Sequence, residues 1–153
     1  MAETTVTSVI DSKTVLTHMD ATNKDEALQE LATALSNAGY LSDTESYIHD
    51  VYQREAEGST GIGNYIAIPH GKSDGVSRIG VAIGILDHEI DWETIDDHGV
   101  KVIILFAVGS DTEGAKEHLK LLSLFARKLG RDSVIEALLK ADDAEDVKAA
   151  FNN

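Results

Sequence analysis

The chain has 153 residues, and its 13 lysines and arginines against 27 aspartates and glutamates give a formal net charge of −14 at pH 7. Nucleic acids and anionic lipids are bound by clustered basic side chains, whereas this sequence has one short basic cluster, at Arg127, Lys128 and Arg131. No apolar run approaches the roughly 20 residues that cross a bilayer, so we expect neither nucleic-acid binding nor direct membrane insertion.

The remaining composition is typical of one folded domain. Hydrophobic residues make up 42% and charged residues 26%, close to globular averages, which argues against disorder. No linker or repeat divides the sequence, so we assign residues 1–153 to a single domain. The absence of cysteine excludes disulfides, thiolate metal sites and a cysteine nucleophile. The N-terminal segment has neither a basic stretch nor a long apolar stretch, which predicts no signal peptide and a cytoplasmic location.

Two amphipathic helices are predicted in the first third of the chain. Apolar residues recur at helical spacing over Asn23–Ala38, with Asn23 placed to cap the helix. The same pattern predicts a second helix over Ser42–Glu57, with Ser42 as its N-cap. A glycine-rich segment, residues 58–63, then ends the helical pattern and predicts a loop.

Strands and further helices follow. The segment Ile66–Ile68 is a short apolar strand candidate that ends at Pro69, Arg78–Leu86 alternates apolar and small residues, and Lys101–Val108 is continuously apolar, as in a strand buried on both faces. Three closing helices are predicted at Lys116–Leu129, Asp132–Lys140 and Ala144–Phe151. This order indicates an α/β (α+β) domain with helices packed on a central sheet.

The densest chemical signal surrounds Pro69, the only proline. Proline has no N–H for a sheet, so we expect the strand to end there, with His70 in a loop before a flexible Gly71. Imidazole is nucleophilic and partly neutral near pH 7, and Arg54 has the forked donor geometry that suits a phosphoryl oxygen. From these residues alone, His70 fits either a reactive group or an ordinary loop histidine, and residues 58–63 fit either an anion cradle or a plain turn.

Two other sites built on His70 are disfavoured. A zinc site with His118 lacks a third ligand at motif spacing, so we expect no metal. A hydrolase triad of Ser59, His70 and Asp74 lacks the nucleophile-elbow pattern. We expect the other four histidines to lie on the surface, at positions 18, 49, 88 and 98, and Trp92 to be packed in the core.

The sequence around His70 resembles a phosphohistidine signature. The matching residues are Glu55, Ile62-Gly63 and the run from Ile66 to Gly71 (Ile-Ala-Ile-Pro-His-Gly). The signature is that of the enzyme IIA domains of the sugar phosphotransferase system, in the fructose/mannitol type that includes a nitrogen-regulatory branch. The resemblance extends over almost the whole chain, including the Arg54 loop and the segment Glu117–Ala126. It implies a mixed central β-sheet flanked by helices.

The resemblance also implies a mechanism. His70 would accept a phosphoryl group through Nε2 from the phosphocarrier HPr and pass it to a cysteine of a IIB domain, which serves sugar uptake through a membrane IIC permease. Arg54 would stabilise phosphoryl charge, and His118 would lie beside His70. No metal, nucleotide or other cofactor is implied. The added charge would need local donors, for which we expect the hydroxyl of Thr60 and the backbone amides of the glycine-rich loop, at Gly61 and Gly63.

Three functions remain open at this stage: a transport phosphocarrier, a regulatory domain of the nitrogen-related branch that binds proteins according to its phosphorylation state, and a non-catalytic α/β binding module. For the carrier, we expect HPr to dock on Ile62 and Tyr65, ringed by acids such as Glu55 and Glu57.

Overall fold

The computed structural model describes residues 6–96 and 98–152. Its elements, in chain order, are α1 (Val6–Val9), a 3₁₀ turn (Ser12–Thr14), β1 (Val15–Met19), α2 (Lys24–Asn37), α3 (Thr44–Glu57), β2 (Gly61–Gly63), β3 (Ile66–Ala67), β4 (His70–Lys72), β5 (Gly80–Ile90), β6 (Val100–Val108), α4 (Thr112–Leu129), α5 (Asp132–Leu139) and α6 (Ala144–Ala150). No helix within these two ranges combines the length and hydropathy needed to cross a membrane.

The strands form one mixed sheet in the order β1-β5-β6-β3-β2, with β4 also paired to β6. Strands β3 and β4 run parallel to β6, and β1 runs parallel to β5, whereas β5 and β6 are antiparallel. The predicted mixed sheet flanked by helices is therefore confirmed.

Strand β6 separates two hydrophobic clusters because alternate side chains point to opposite faces of the sheet. Ile103, Leu105 and Ala107 pack on the side of α2 and α3. Ile104 and Phe106 pack on the other side, against α4, α5 and α6. All five are buried, which confirms the prediction of a strand covered on both faces.

The helix starts test the predicted caps. The Asn23 side chain accepts a hydrogen bond from the Glu26 N–H at 2.8 Å, so the cap of α2 is confirmed. The prediction of Ser42 as cap of α3 is wrong, since the Asp43 carboxylate accepts from the Ser46 N–H at 3.1 Å. A carboxylate one residue later serves better because it also interacts with the positive end of the helix dipole.

Other boundaries also differ from the predictions. Strand β1 and the 3₁₀ turn were not expected, β5 continues to Ile90, and α4 begins at Thr112. Helical spacing over Lys116–Leu129 predicts Leu119 in the buried stripe of this helix, but Leu119 is 65% exposed and Leu121 is buried instead. The region from His118 to Leu122 holds three leucines on different faces of the helix, so spacing alone did not identify the buried one.

Candidate functional site

Strands β3 and β4 both pair with β6 and follow one another along it, interrupted at Ile68 and Pro69. Both strands keep the same register along β6, with Ile66 opposite Val102 and His70 opposite Phe106. The strand stops before Pro69, as predicted, but the Pro69 carbonyl still accepts from the Phe106 N–H at 3.0 Å. Pairing then resumes, so the expectation of a loop at His70 is wrong: this histidine begins a strand and has a fixed backbone.

Gly71 is present for close packing and not for flexibility. A Cβ atom at this position would lie 2.6 Å from the Tyr47 ring and 2.7 Å from Val51 Cγ2. The Tyr47 hydroxyl donates to the Phe106 carbonyl at 2.8 Å, which ties α3 to β6 beside His70. The helix therefore approaches the strand closely, and its last turn carries Arg54 to the histidine.

The candidate site is a cleft between α3, β4 and α4. Seven residues line it: Asp50, Gln53, Arg54, Glu57, His70, Lys72 and His118. The structure thus brings together the three residues that the sequence assigns to catalysis, namely Arg54, His70 and His118.

Hydrogen bonds define the tautomer of His70. Arg54 Nε donates to His70 Nε2 at 3.2 Å, and Arg54 Nη1 donates to the Gly58 carbonyl at 2.9 Å. Because a guanidinium has only hydrogens to offer, Nε2 must carry the lone pair. The proton then lies on Nδ1, which makes a long hydrogen bond of 3.5 Å to the Ile68 carbonyl. His70 therefore presents an unprotonated Nε2 in the cleft.

The surroundings of His70 favour its neutral form. Burial lowers its pKa, and the Arg54 cation adds to this effect, whereas the Ile68 carbonyl and the Glu57 carboxylate act in the opposite direction. A neutral imidazole with an available lone pair is the nucleophilic form of histidine.

The second histidine, His118, packs against the first. The two ring centroids are 4.6 Å apart, at an interplanar angle of 39°, and the Phe106 ring contacts His118 edge-on at 5.9 Å. Burial lowers the pKa of His118 to about 4, and His70, Lys72 and Arg54 add to the shift. Its buried Nδ1 has no hydrogen-bond partner among the residues that the structure describes. His118 is thus neutral at pH 7.

Lys72 also lines the cleft, and the sequence analysis missed it. In a strand, residues two apart share a face, so Lys72 lies on the same side as His70. That signal was available in the sequence, but the expected loop at His70 concealed it. Lys72 makes no ion pair with a carboxylate of the described residues, and its cation acts on His118.

The predicted phosphate ligands Thr60, Gly61 and Gly63 are not among the residues that line this cleft. The Thr60 hydroxyl donates to both carboxylate oxygens of Glu55, at 2.8 and 2.9 Å. A Cβ at Gly61 would lie 2.3 Å from the Glu93 carbonyl, and one at Gly63, whose φ is +88°, would lie 3.1 Å from the Asp96 carboxylate. The segment is used for packing because it forms β2, so the expected anion cradle is not formed.

The structure places the remaining candidates elsewhere. The Ser59 hydroxyl donates to the Glu93 carbonyl, and Asp74 accepts from the Ser110 hydroxyl, so no hydrolase triad is assembled on His70. Trp92 is 8% exposed and packs in the core, as predicted. The four histidines predicted at the surface are all exposed, at positions 18, 49, 88 and 98.

A half-buried, neutral histidine held by an arginine, with a lysine and a second histidine beside it, is chemically suited to bind an anionic group. Residues 8–153 match the family model "Phosphoenolpyruvate-dependent sugar phosphotransferase system, EIIA 2". The chain belongs to this family.

Similar proteins include the mannitol-specific phosphotransferase enzyme IIA component of Halalkalibacterium halodurans, 31% identical over 145 residues that cover 93% of each chain. The fructose-specific EIIA component of Haloferax volcanii is 33% identical over 125 residues, covering 82% of this chain and 80% of the relative. The 2-O-alpha-mannosyl-D-glycerate-specific EIIABC component of Escherichia coli is 30% identical over 92% of this chain, which spans only 22% of that relative.

Solved structures agree with the fold. The nitrogen regulatory protein IIA-Ntr from Neisseria meningitidis superposes with a TM-score of 0.85 at 26% identity, covering 95% of this chain and 98% of that one. IIA mannitol from Escherichia coli superposes with a TM-score of 0.79 at 23% identity, covering 93% and 98%, and shows a common fold.

Proposed function

We propose that this protein is a phosphocarrier of the phosphoenolpyruvate-dependent sugar phosphotransferase system. His70 accepts a phosphoryl group from HPr and passes it to the cysteine of a IIB domain, which serves a membrane IIC permease from the cytoplasm. The observation that carries this proposal is the hydrogen bond from Arg54 Nε to His70 Nε2, because it leaves that nitrogen unprotonated in the cleft. The names of the mannitol- and fructose-specific relatives support it.

The transfer requires no cofactor. The Nε2 lone pair of His70 attacks phosphorus while the P–N bond of the donor phosphohistidine breaks, and the donor imidazole leaves with the bonding electrons. The proton on His70 Nδ1 stays there throughout and is donated in a hydrogen bond to the Ile68 carbonyl. In the second step, a cysteine thiolate attacks phosphorus and His70 leaves as the neutral imidazole. The transition state is loose, so positioning and charge stabilisation dominate catalysis.

The cleft supplies that stabilisation. Phosphorylation adds about −1.5 to −2 of charge, by analogy with other phosphoryl groups. As phosphorus binds Nε2, the Arg54 Nε–H that faced this nitrogen is released to a phosphoryl oxygen. Lys72 adds a second cation, and neutral His118 can donate from a ring N–H. Thr60, Gly61 and Gly63 do not line the cleft, so we assign them no direct contact with the phosphoryl group.

A phosphorylation assay tests the proposal. Enzyme I, HPr and labelled phosphoenolpyruvate should give an acid-labile adduct on the wild-type protein and none on His70→Ala. His88→Ala, which removes an exposed histidine outside the cleft, should behave as wild type. Addition of a IIB domain should then discharge the adduct. No adduct on the wild type, or an adduct that survives His70→Ala, contradicts the proposal.

A second function, regulation by phosphorylation-dependent protein binding, is favoured by one observation. IIA-Ntr from Neisseria meningitidis superposes with the higher TM-score of the two structures compared above, 0.85 against 0.79. Affinity capture with the phosphorylated protein and with His70→Ala distinguishes the two functions. Recovery of a IIB component supports transport, whereas recovery of proteins outside the phosphotransferase system in one phosphorylation state alone supports regulation.

A further inference from the structure

Glu55 belongs to the signature segment, yet it has no part in the transfer described above. Glu55 was predicted among the acids that ring a docking surface, but its side chain is only 5% exposed, so the prediction is wrong for this residue. The Thr60 hydroxyl donates to both of its carboxylate oxygens. Lys24 Nζ lies 3.0 Å from Oε1 and also 4.6 Å above the Trp92 ring. A buried carboxylate is therefore fully partnered in a small polar cluster of Lys24, Glu55 and Thr60.

This cluster lies behind the last turn of α3. Successive residues of a helix point about 100° apart, so Arg54 and Glu55 face different surroundings. Arg54 enters the cleft with His70, whereas Glu55 does not line it and instead meets the first residue of α2. Glu55 therefore has no contact with the cleft, and any effect of its carboxylate on Arg54 and His70 must pass through the backbone of the helix end.

The segment that leaves α3 connects the two side chains. The Gly58 carbonyl accepts from Arg54 Nη1 at 2.9 Å, and two residues later the Thr60 hydroxyl donates to Glu55. The backbone itself closes the helix weakly, because the Gly58 N–H reaches the Glu55 carbonyl at 3.4 Å. Side-chain contacts are thus needed to hold a helix end that would otherwise fray.

We propose that Glu55, held by Thr60 and Lys24, is a positioning residue that fixes the end of α3 so that Arg54 keeps its hydrogen bond to His70 Nε2. Thr60 then contributes to phosphoryl transfer through Glu55, Gly58 and Arg54, although it does not contact the phosphoryl group. The consequence for transfer rests on the proposed phosphocarrier function, whereas the consequence for His70 itself does not.

Thr60→Val tests the proposal, because it keeps the shape of the side chain and removes the hydroxyl. The Arg54 cation lowers the pKa of His70, so a displaced Arg54 should let this pKa rise. The measurement is a titration of the His70 ring nitrogens by NMR, with Arg54→Gln defining the full effect. The other charged or titratable groups that line the cleft stay in place: Asp50, Glu57, Lys72 and His118.

Two controls separate positioning from stability. Thr60→Ser restores the hydroxyl and should restore the wild-type titration. Thr14→Val removes a hydroxyl from another buried threonine, which donates to the Val81 carbonyl at 2.8 Å and lies away from the cleft. It should lower the melting temperature and leave the His70 titration unchanged.

We expect Thr60→Val to raise the pKa of His70 by no more than Arg54→Gln does. The double variant should show no larger rise than Arg54→Gln alone. Should Thr60→Val fail to fold, Lys24→Gln, at a side chain that is 30% exposed, is measured in its place, with the same expected direction. The proposal is overturned if the folded variant leaves the His70 titration unchanged. It is also overturned if its effect on the His70 pKa adds fully to that of Arg54→Gln.

Rates give a second readout. HPr-dependent phosphorylation should fall by up to about 10²-fold in Thr60→Val, the loss that a misplacement of about 1 Å can cause, and recover in Thr60→Ser. If the wild type is never phosphorylated but Thr60→Val raises the pKa of His70 and adds nothing to Arg54→Gln, the phosphocarrier function fails and the positioning role stands. If phosphorylation occurs but the titrations of Thr60→Val and Thr14→Val are both unchanged, only the positioning role fails.

Discussion

Two regions of this molecule hold histidine in opposite electrostatic surroundings. In the cleft, burial and the neighbouring cations lower the pKa of both His70 and His118. On the surface, His18 Nδ1 lies 2.9 Å from Asp87 and Nε2 lies 3.1 Å from Asp142. The hydrogen bond to Asp87 is the main cause that raises the pKa of His18, and the charges of both carboxylates add to it.

The difference shows what the cleft is built to avoid. In a chain with a net charge of −14, a histidine on the surface can pair with carboxylates, as His18 does, and such pairing favours its cationic form. The cleft instead brings Arg54 and Lys72 next to the imidazoles, so that the rings stay neutral and the cations remain for an incoming anion. Together with burial, the Arg54 cation favours the unprotonated form of His70, the nucleophile of the proposed transfer.

Among the changes considered, removal of Arg54 should have the largest effect on the surroundings of the cleft histidines. In Arg54→Gln, His70 loses both the donor at Nε2 and the cation, so we expect phosphorylation by HPr to slow by about 10²-fold, as for loss of one preorganised donor. Arg54→Lys should recover only part of the rate, because an ammonium lacks the forked geometry.

Arg78→Gln is the matched control for Arg54→Gln. Arg78 also donates to a backbone carbonyl, that of Ala38 at 3.0 Å, but it lies over the Tyr40 ring and outside the cleft. The phosphorylation rate of Arg78→Gln should equal that of the wild type. Equal rates for the two glutamine variants would falsify the role of Arg54 in transfer.

Neutralisation of Lys72 should have a smaller effect. Lys72→Gln removes a cation that makes no hydrogen bond to His70. We therefore expect the phosphorylation rate to fall by roughly tenfold or less, as for the loss of one exposed electrostatic contact of about 1 kcal/mol. The loss should shrink at high salt because exposed charges are screened. Lys140→Gln, at an exposed position outside the cleft, should leave the rate unchanged at every salt concentration.

The sequence predicted the elements whose patterns extend over several turns or strand residues. The run Val102–Val108 is apolar throughout because this part of β6 is covered on both faces, and α2 has both an apolar stripe and a capping residue. Strand β1 escaped prediction because four of its five residues are partly or fully exposed and two of them, Thr17 and His18, are polar, so the strand lacks an apolar pattern.

The site was predicted in part for a similar reason. His70 was found from its local motif, but His118 came only from the resemblance, since nothing local in the sequence links residues that distant. Lys72 was missed because a loop was expected where a strand resumes. The contact of Thr60 with Glu55 depends on how the chain leaves α3 at Gly58, which no periodicity describes.

The smallest expected effect concerns stability against pH. The pKa of His118 is about 4 in the folded protein and near 6.5 when unfolded, so the unfolded state binds the extra proton as pH falls below about 6.5. His118 therefore costs stability on acidification, and His118→Gln should remove that loss between pH 6.5 and pH 4.

The pKa of His18 is shifted in the other direction, so its contribution is fully present below about pH 6.5 and is lost as pH rises through the raised value. His18→Gln should thus be less stable than the wild type in acid and equal to it in alkali. Melting temperatures from pH 4.5 to 8.5 at constant ionic strength measure both variants against the wild type. On acidification the two difference curves should move in opposite directions, and curves of the same sign would show that the two regions do not differ electrostatically as described.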